Sequence, residues 1–83
     1  MSAKDTDVMD KEFEYRLGQN IRVIREARGL TQDQLAAQLQ TRGCDVTRSA
    51  LAKMEVGQRH IYPDELKLLK EILSISFDEL FSV

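Results

Sequence analysis

The residues of this chain best suited to chemistry are basic, and they lie in its middle. Residues 16–60 contain eight arginines and lysines against four carboxylates, a net charge of +4, whereas residues 1–15 and 61–83 each carry −3. The planar guanidinium of arginine suits bidentate recognition of phosphate and guanine better than the lysine ammonium does. The distribution therefore favours an anionic partner, although the same charges would also suit solvated helix faces.

Catalytic and metal chemistry have few residues available. The chain has one cysteine, Cys44, and one histidine, His60. These two residues cannot form a disulfide framework, fill a four-ligand zinc site, or assemble a nucleophile with its base and orienting group. We therefore predict no enzyme, no cofactor and no metal. An oxidation switch at Cys44 is disfavoured because the neighbouring Asp45 would oppose a thiolate.

The length of 83 residues allows one domain with one hydrophobic core. A catalytic pocket is hard to enclose in so short a chain, so a binding module is expected. No apolar run is long enough to span a bilayer, and the first residues lack the layout of a secretory signal, which predicts a cytoplasmic protein. We expect an acidic, partly disordered extension over residues 1–12 and a folded domain over residues 13–83.

Apolar spacing and capping residues predict an all-α fold with five helices. The first helix ends at Gly29, and its apolar residues recur at steps of four, four and three. They are Phe13, Leu17, Ile21 and Ile24. A capping-box pattern at Thr31 and Gln34 starts a second helix at Gln32, and Gly43 ends it. Its inward residues are Leu35, Ala36 and Leu39.

A third, short helix follows a four-residue turn over residues 43–46. Thr47 is a good N-cap for it, Leu51 and Met54 face inward, and Gly57 ends it. Two helices joined by such a turn form a helix-turn-helix arrangement, whose second helix fits the major groove of DNA. The face opposite Leu51 and Met54 could then contact base edges. It carries Arg48, Ser49, Ala52 and Lys53.

The end of the chain predicts two more helices and a candidate contact surface. Pro63 suits the first position of a fourth helix, and a second capping-box pattern at Ser76 and Glu79 opens a fifth. The large apolar residues there either close the core or form a dimer surface. These dimer candidates are Ile75, Phe77, Leu80 and Phe81.

Three stretches of the sequence resemble one known family. LGQNIRVIREARGLTQDQLA at 17–36, VTRSALAKMEVGQR at 46–59 and FDELF at 77–81 are similar to the lambda-repressor-like helix-turn-helix regulators of the Cro, phage-repressor and xenobiotic-response-element type. The resemblance covers residues 16–81. It implies a compact five-helix DNA-binding domain and a sequence-specific transcriptional regulator, either occluding or recruiting polymerase.

The resemblance also implies roles for individual residues. Arg48, Ser49 and Lys53 match positions that touch base edges in the major groove. Arg25 and Glu55 match a structural ion pair between the first and third helices. Contacts to the DNA backbone are implied for Gln32, Thr47, Gln58 and Arg59.

One segment departs from the family pattern. Ala36 and Leu51 lie fifteen residues apart, several more than in the shorter phage repressors. We therefore expect the second helix to gain a turn through Gln40, Thr41 and Arg42 before it ends at Gly43.

The short third helix also bears on the partners of the chain. A short helix contacts only a few base pairs, so we expect a homodimer that reads a palindromic site in double-stranded DNA. An alternative stays open, in which the same fold is a protein-interaction module, antitoxin-like or scaffold partner, whose acidic N-terminal arm binds a basic protein.

Overall fold

The computed structural model describes the backbone of residues 3–83 and the side chains of residues 11–83. Within that range the elements are α1 (Ala3–Ala27), α2 (Gln32–Thr41), α3 (Arg48–Glu55), α4 (Pro63–Leu73) and α5 (Phe77–Leu80). The described residues contain five helices and no strand, so the predicted all-α class is confirmed. None of these helices combines the length and the apolar character needed to cross a bilayer.

The capping residues place the helix starts where the sequence predicts them. In the box that opens α2, the Thr31 hydroxyl accepts from the backbone N–H of Gln34 at 3.1 Å, and the Gln34 side chain accepts from the backbone N–H of Thr31 at 2.9 Å. Ser76 and Glu79 form the same box at α5. Each box satisfies backbone donors that have no partner inside the helix.

Helix α1 is longer than predicted, because it already begins at Ala3. No proline or glycine precedes Gly18 to interrupt it. Phe13, predicted to face inward, is 43% exposed, whereas Leu17 and Ile21 lie in the core. Residues 1 and 2 and the side chains of residues 1–10 lie outside the described part, so the division into an extension and a domain stays a prediction.

The connection between α2 and α3 is held by backbone and side-chain contacts. Helix α2 ends at Thr41 with Arg42 as its C-cap, one residue earlier than predicted. Gly43 then takes a φ of 81°, a left-handed conformation that glycine adopts without strain. Val46 is fully buried, and its carbonyl oxygen accepts from the Gln40 side-chain amide at 3.0 Å. The turn therefore fixes the start of α3 relative to the end of α2.

One core joins all five helices. Helix α3 packs on both α1 and α2, α2 also packs on α4, and α5 packs on α1. Two core residues come from the turn after α2, and one from the connection before α5. The buried apolar residues are Leu17, Ile21, Leu35, Ala36, Leu39, Cys44, Val46, Leu51, Met54, Leu69, Leu73, Ile75 and Leu80.

Two of the four dimer candidates belong to this core. Ile75 is 8% exposed and Leu80 is fully buried, so neither side chain is available to a second chain in this fold. The N-cap at Ser76 turns α5 back onto α1, which carries Leu80 inward. Phe77 and Phe81 are 45% and 38% exposed and stay on the surface.

The burial of Leu80 predicts a large loss of stability for Leu80→Ala. Truncating a fully buried leucine should lower the free energy of unfolding by about 2–5 kcal/mol, because apolar contacts are lost and a cavity remains. Urea denaturation followed by circular dichroism measures it. Val83→Ala at the exposed end of the chain is the control and should change little. A Leu80→Ala protein as stable as the control would show that α5 does not close the core.

Candidate nucleic-acid interface

Helix α3 presents a polar face to solvent and an apolar face to the core. Leu51 and Met54 are fully buried. On the opposite side Arg48, Ser49 and Lys53 are exposed, and Ala52 is half-buried. The structure thus brings the four predicted base-contacting residues onto one accessible surface. A helix of eight residues is about 12 Å long.

Thr47 holds the first turn of α3. Its hydroxyl oxygen accepts from the backbone N–H of Ala50 at 3.1 Å, which satisfies one of the free donors of this helix end. The hydroxyl hydrogen stays available to a further acceptor, because capping uses only the oxygen. Thr47 is exposed, so this acceptor can come from outside the chain.

A buried ion pair holds the last turn of α3 against α1. The Arg25 guanidinium donates to both carboxylate oxygens of Glu55, at 2.7 and 3.0 Å, and also to the Leu30 carbonyl at 2.8 Å. Arg25 is 6% exposed and Glu55 1%. The bonds to Glu55 raise the pKa of Arg25 above its usual value. Such a pair must stay complete, because one buried charge left alone costs several kcal/mol, about 3–5.

Gln32 is part of the same network. Its side-chain amide donates one hydrogen to Glu55 at 3.0 Å, which links the start of α2 to the end of α3. A primary amide has two hydrogens, so the second remains for another acceptor. Gln32 is half-buried, at the edge of the surface formed by α2 and α3.

Two residues that support α3 were missed by the sequence analysis. Gly18 of α1 is buried against the end of α3, and a Cβ atom there would overlap the Met54 carbonyl oxygen and lie 2.9 Å from the carbonyl carbon of Glu55. Gln19 donates from its side chain to the Glu55 carbonyl at 2.7 Å. The signal in the sequence is the glycine itself, since a glycine inside a helix costs about 1 kcal/mol relative to alanine and therefore points to a packing reason.

The loop after α3 contains the two remaining predicted backbone contacts. Gln58 is exposed. Arg59 instead turns toward α4, where its guanidinium donates to both carboxylate oxygens of Glu65 at 2.9 and 3.0 Å and to the His60 carbonyl at 2.8 Å. Its charge is therefore balanced within the fold, and its clearest structural role is to hold the loop in shape.

Glu65 is the buried partner in that loop. Desolvation alone would raise its pKa, but the hydrogen bonds from Arg59 and from the Tyr62 backbone N–H outweigh this, and the pKa of Glu65 is lowered. The carboxylate therefore stays ionised at neutral pH and keeps Arg59 in place. Arg59 also lies over the Tyr62 ring, with 5.8 Å between the guanidinium carbon and the ring centroid.

One carboxylate lies beside the exposed face of α3. Asp33 Oδ1 is 3.8 Å from Arg48 Nε, and the two side chains are 77% and 63% exposed. An ion pair this exposed contributes about 0–1 kcal/mol, so it does not withdraw Arg48 from other partners. Among the residues whose side chains are described, Lys53 forms no ion pair.

The described histidine, cysteine and carboxylate side chains bear on metal and thiol chemistry. In residues 11–83 no group of three or more histidine, cysteine or carboxylate side chains is arranged to hold a metal ion. Cys44 is buried, and desolvation, followed by the negative charges of Glu65 and Asp64, raises the pKa of its thiol. A buried neutral thiol is a poor nucleophile, which weighs further against a redox switch.

Comparison with known proteins agrees with this geometry. A sequence model described as helix-turn-helix matches residues 21–80, which is more than half of the chain. The chain belongs to the lambda-repressor-like helix-turn-helix family. The family predicted from residues 16–81 is thereby confirmed.

A curated relative supports the same family. The HTH-type transcriptional activator BcrR of Enterococcus faecalis is 37% identical over 71 residues, which cover 86% of this chain. This helix-turn-helix chain spans 30% of the length of BcrR, so the similarity concerns that part alone. No solved structure matches the chain significantly.

The contact of Gly18 with α3 predicts that Gly18→Ala destabilises this helix-turn-helix domain. Alanine normally stabilises a helix interior relative to glycine by about 0.5–1 kcal/mol. Here the added methyl group would overlap backbone atoms of α3, which cannot shift without disturbing that helix. We expect the free energy of unfolding to fall by about 1–3 kcal/mol. Ala37→Gly on the exposed face of α2 calibrates the intrinsic preference in the same denaturation experiment. A neutral or stabilising Gly18→Ala would show that α1 and α3 do not touch there.

Proposed function

We propose that this helix-turn-helix domain is a sequence-specific transcriptional regulator that inserts α3 into the major groove of DNA. The observation that carries the proposal is the separation of the two faces of α3: Leu51 and Met54 are fully buried, while Arg48 and Lys53 face solvent. A helix with its side chains is about 10–12 Å across, and the major groove is about 12 Å wide. The groove therefore admits this helix with its basic face toward the bases.

Base recognition is assigned to the exposed face of α3. Arg48 suits a bidentate contact to guanine, and Lys53 reaches the same kind of acceptor from the next turn. Ser49 can donate to or accept from several bases, and the small side chain of Ala52 allows close approach of the helix backbone.

Backbone contacts are assigned to the residues around α3. Within the part of the chain whose side chains are described, the Thr47 hydroxyl hydrogen and the second Gln32 amide hydrogen have no acceptor, and Gln58 is exposed in the following loop. Contacts of this kind fix the orientation of a protein on DNA without carrying sequence information. For Arg59, whose charge is balanced by Glu65, the proposed role is to shape the loop that presents Gln58.

The balance of charges in the domain accounts for an acidic DNA-binding chain. The formal net charge is −2, yet residues 16–60 carry +4. Of the basic residues there, Arg25 and Arg59 are paired with buried carboxylates, whereas Arg48 and Lys53 lie on the exposed face of α3. A local excess of positive charge attracts phosphate even when the whole chain is acidic.

We propose a homodimer as the binding species, because one short helix covers too few base pairs to be selective. A surface cluster of three aromatic residues supports this. Phe81 stacks on Phe13 and on Phe77, with ring centroids 6.0 and 6.3 Å apart, and all three rings are between 38% and 45% exposed. In the proposed dimer a second copy covers this cluster, and the two α3 helices read a palindrome with half-sites about 34–36 Å apart.

The direction of regulation depends on where the binding site lies relative to a promoter. BcrR is named as an activator. A bound domain of this kind can occlude polymerase or recruit it, and the proposal covers both.

Binding-site selection from random DNA tests the proposed function, and Arg48→Ala tests its central contact. The variant should lose about 1–3 kcal/mol of binding free energy at the selected site and relax the preference at one base position. Fluorescence anisotropy at several salt concentrations measures both. Lys67→Ala, which removes a positive charge from the exposed face of α4, is the matched control. No selected consensus, or equal affinities of wild type and Arg48→Ala, would contradict the proposal.

The dimer is tested by sedimentation of the free protein and of its DNA complex. Wild type should bind a palindromic duplex as two copies, and Phe77→Ser should weaken that assembly because it removes exposed aromatic area. Single half-site binding should change little. An unchanged stoichiometry in Phe77→Ser would move the dimer surface away from the aromatic cluster.

The protein-interaction alternative predicts a different result. In that case residues 1–12 would be needed to capture a basic partner, so their removal would abolish a pull-down of that partner. Neither the full chain nor the shortened chain would bind DNA.

A further inference from the structure

We propose that Asp33 is a specificity-determining residue, which acts by positioning Arg48 and by opposing non-specific attraction to phosphates. The inference rests on the proposed function of α3. It starts from the one described ion pair on the candidate interface, in which Asp33 Oδ1 lies 3.8 Å from Arg48 Nε. Asp33 itself lies in the first turn of α2, next to Gln32.

The nitrogen of Arg48 that lies nearest to Asp33 is Nε, and this determines which N–H donors of Arg48 remain available to other acceptors. A guanidinium has five N–H donors, one on Nε and two on each Nη nitrogen. Because Nε faces the carboxylate, both Nη nitrogens remain without a protein partner among the described residues. Their four hydrogens form the end of the fork that donates to O6 and N7 of guanine. Asp33 thus attracts the inner edge of Arg48 only weakly, and favours orientations in which the outer edge points away from the protein.

The position of Asp33 also sets a cost for unspecific binding. Gln32 is proposed to contact a phosphate, so the neighbouring carboxylate comes close to the same strand. Non-specific affinity is almost entirely attraction to phosphates, and one negative charge at that surface lowers it. In the specific complex the orientation that Asp33 favours for Arg48 lowers the entropy cost of ordering this side chain on the bases, which offsets the electrostatic cost. Asp33 therefore lowers affinity for random DNA more than affinity for the cognate site.

The exposed face of α3 provides a comparison within the molecule. Lys53 forms no ion pair with any described side chain, and it carries a compact charge that attracts phosphates without the directional fork of arginine. The Asp33 carboxylate lies beside Arg48, whose planar fork must be oriented to bind guanine. That placement fits a role in selectivity better than a role in stability, since a pair this exposed contributes little to folding.

Asp33→Asn tests the inference against two DNA probes, a duplex with the selected site and a duplex of random sequence. Random DNA should bind about three- to tenfold tighter and with a steeper salt dependence, because one opposing charge is gone. The selected site should gain no affinity, so the ratio of the two affinities falls by about the same factor. Asp33→Glu, which keeps the charge, should retain most of the ratio.

Asp45→Asn is the matched control, because Asp45 is exposed in the turn before α3 and forms no ion pair with a described side chain. It should change both affinities alike and leave their ratio unchanged. In an Arg48→Lys background, Asp33→Asn should likewise change both affinities alike, since lysine has no fork to direct. Thermal melting of each variant verifies that the fold is intact.

The possible results separate this inference from the proposed function. If wild type discriminates, Arg48→Ala loses the preference, and Asp33→Asn keeps the wild-type ratio, the role of Asp33 is refuted while α3 remains the recognition element. An equal fall of the ratio in Asp33→Asn and Asp45→Asn refutes it too, because the effect would then be charge alone. If wild type shows no preference for any duplex, both the function and the role of Asp33 are overturned.

Discussion

The close contact between α1 and the last turn of α3 is the constraint on which the interface depends. Gly18 permits the two backbones to meet, and the buried pair of Arg25 and Glu55 joins them by two hydrogen bonds. Helix α3 is only eight residues long, and an isolated helix of this length is not stable in water. Its position on DNA would therefore be set by the elements that grip its buried face and its two ends, and not by the helix itself.

The same constraint divides the polar residues into two groups. Carboxylates inside the fold, Glu55 and Glu65, each accept from an arginine and turn that arginine into a structural element. Among the side chains of residues 11–83, the basic residues on the outer face of α3, Arg48 and Lys53, have no buried partner. A buried charge must be compensated, whereas an exposed charge need not be. Burial therefore distinguishes the arginines that stabilise the fold from the basic residues that remain available to a partner. Charge counts along the sequence cannot make this distinction.

A surface with few basic residues suits recognition that depends on base contacts. Phosphate attraction alone increases affinity for every sequence and is screened by salt. The proposed interface, with a modest excess of positive charge and Asp33 beside Arg48, would rely less on that attraction. In the proposed complex the acidic ends of the chain would act in the same direction, because negative charge lowers the affinity for a polyanion.

The fold class, the helix starts at the capping boxes and the outward face of α3 could be predicted from the sequence alone. Local signals, such as the capping boxes at Thr31 and Ser76 and the stop at Gly43, depend on hydrogen bonds within a few residues, and so they can be recognised without the rest of the chain. The outward face of α3 follows from the spacing of Leu51 and Met54. By contrast, the full length of α1 could not be predicted, because residues 1–12 have the acidic composition of a solvated arm.

Only the tertiary structure decided which residues share a contact across long distances in the chain. The sequence did not indicate that Arg59 binds Glu65 of α4, and the predicted contact of Arg59 to the DNA backbone stays a prediction. Two of the apolar residues near the C-terminus, Ile75 and Leu80, belong to the core. The partner of Arg48 is Asp33, from a different helix. Residue type and spacing determine what a side chain is able to bind, whereas its actual partner depends on how the helices pack, since packing sets both distance and burial.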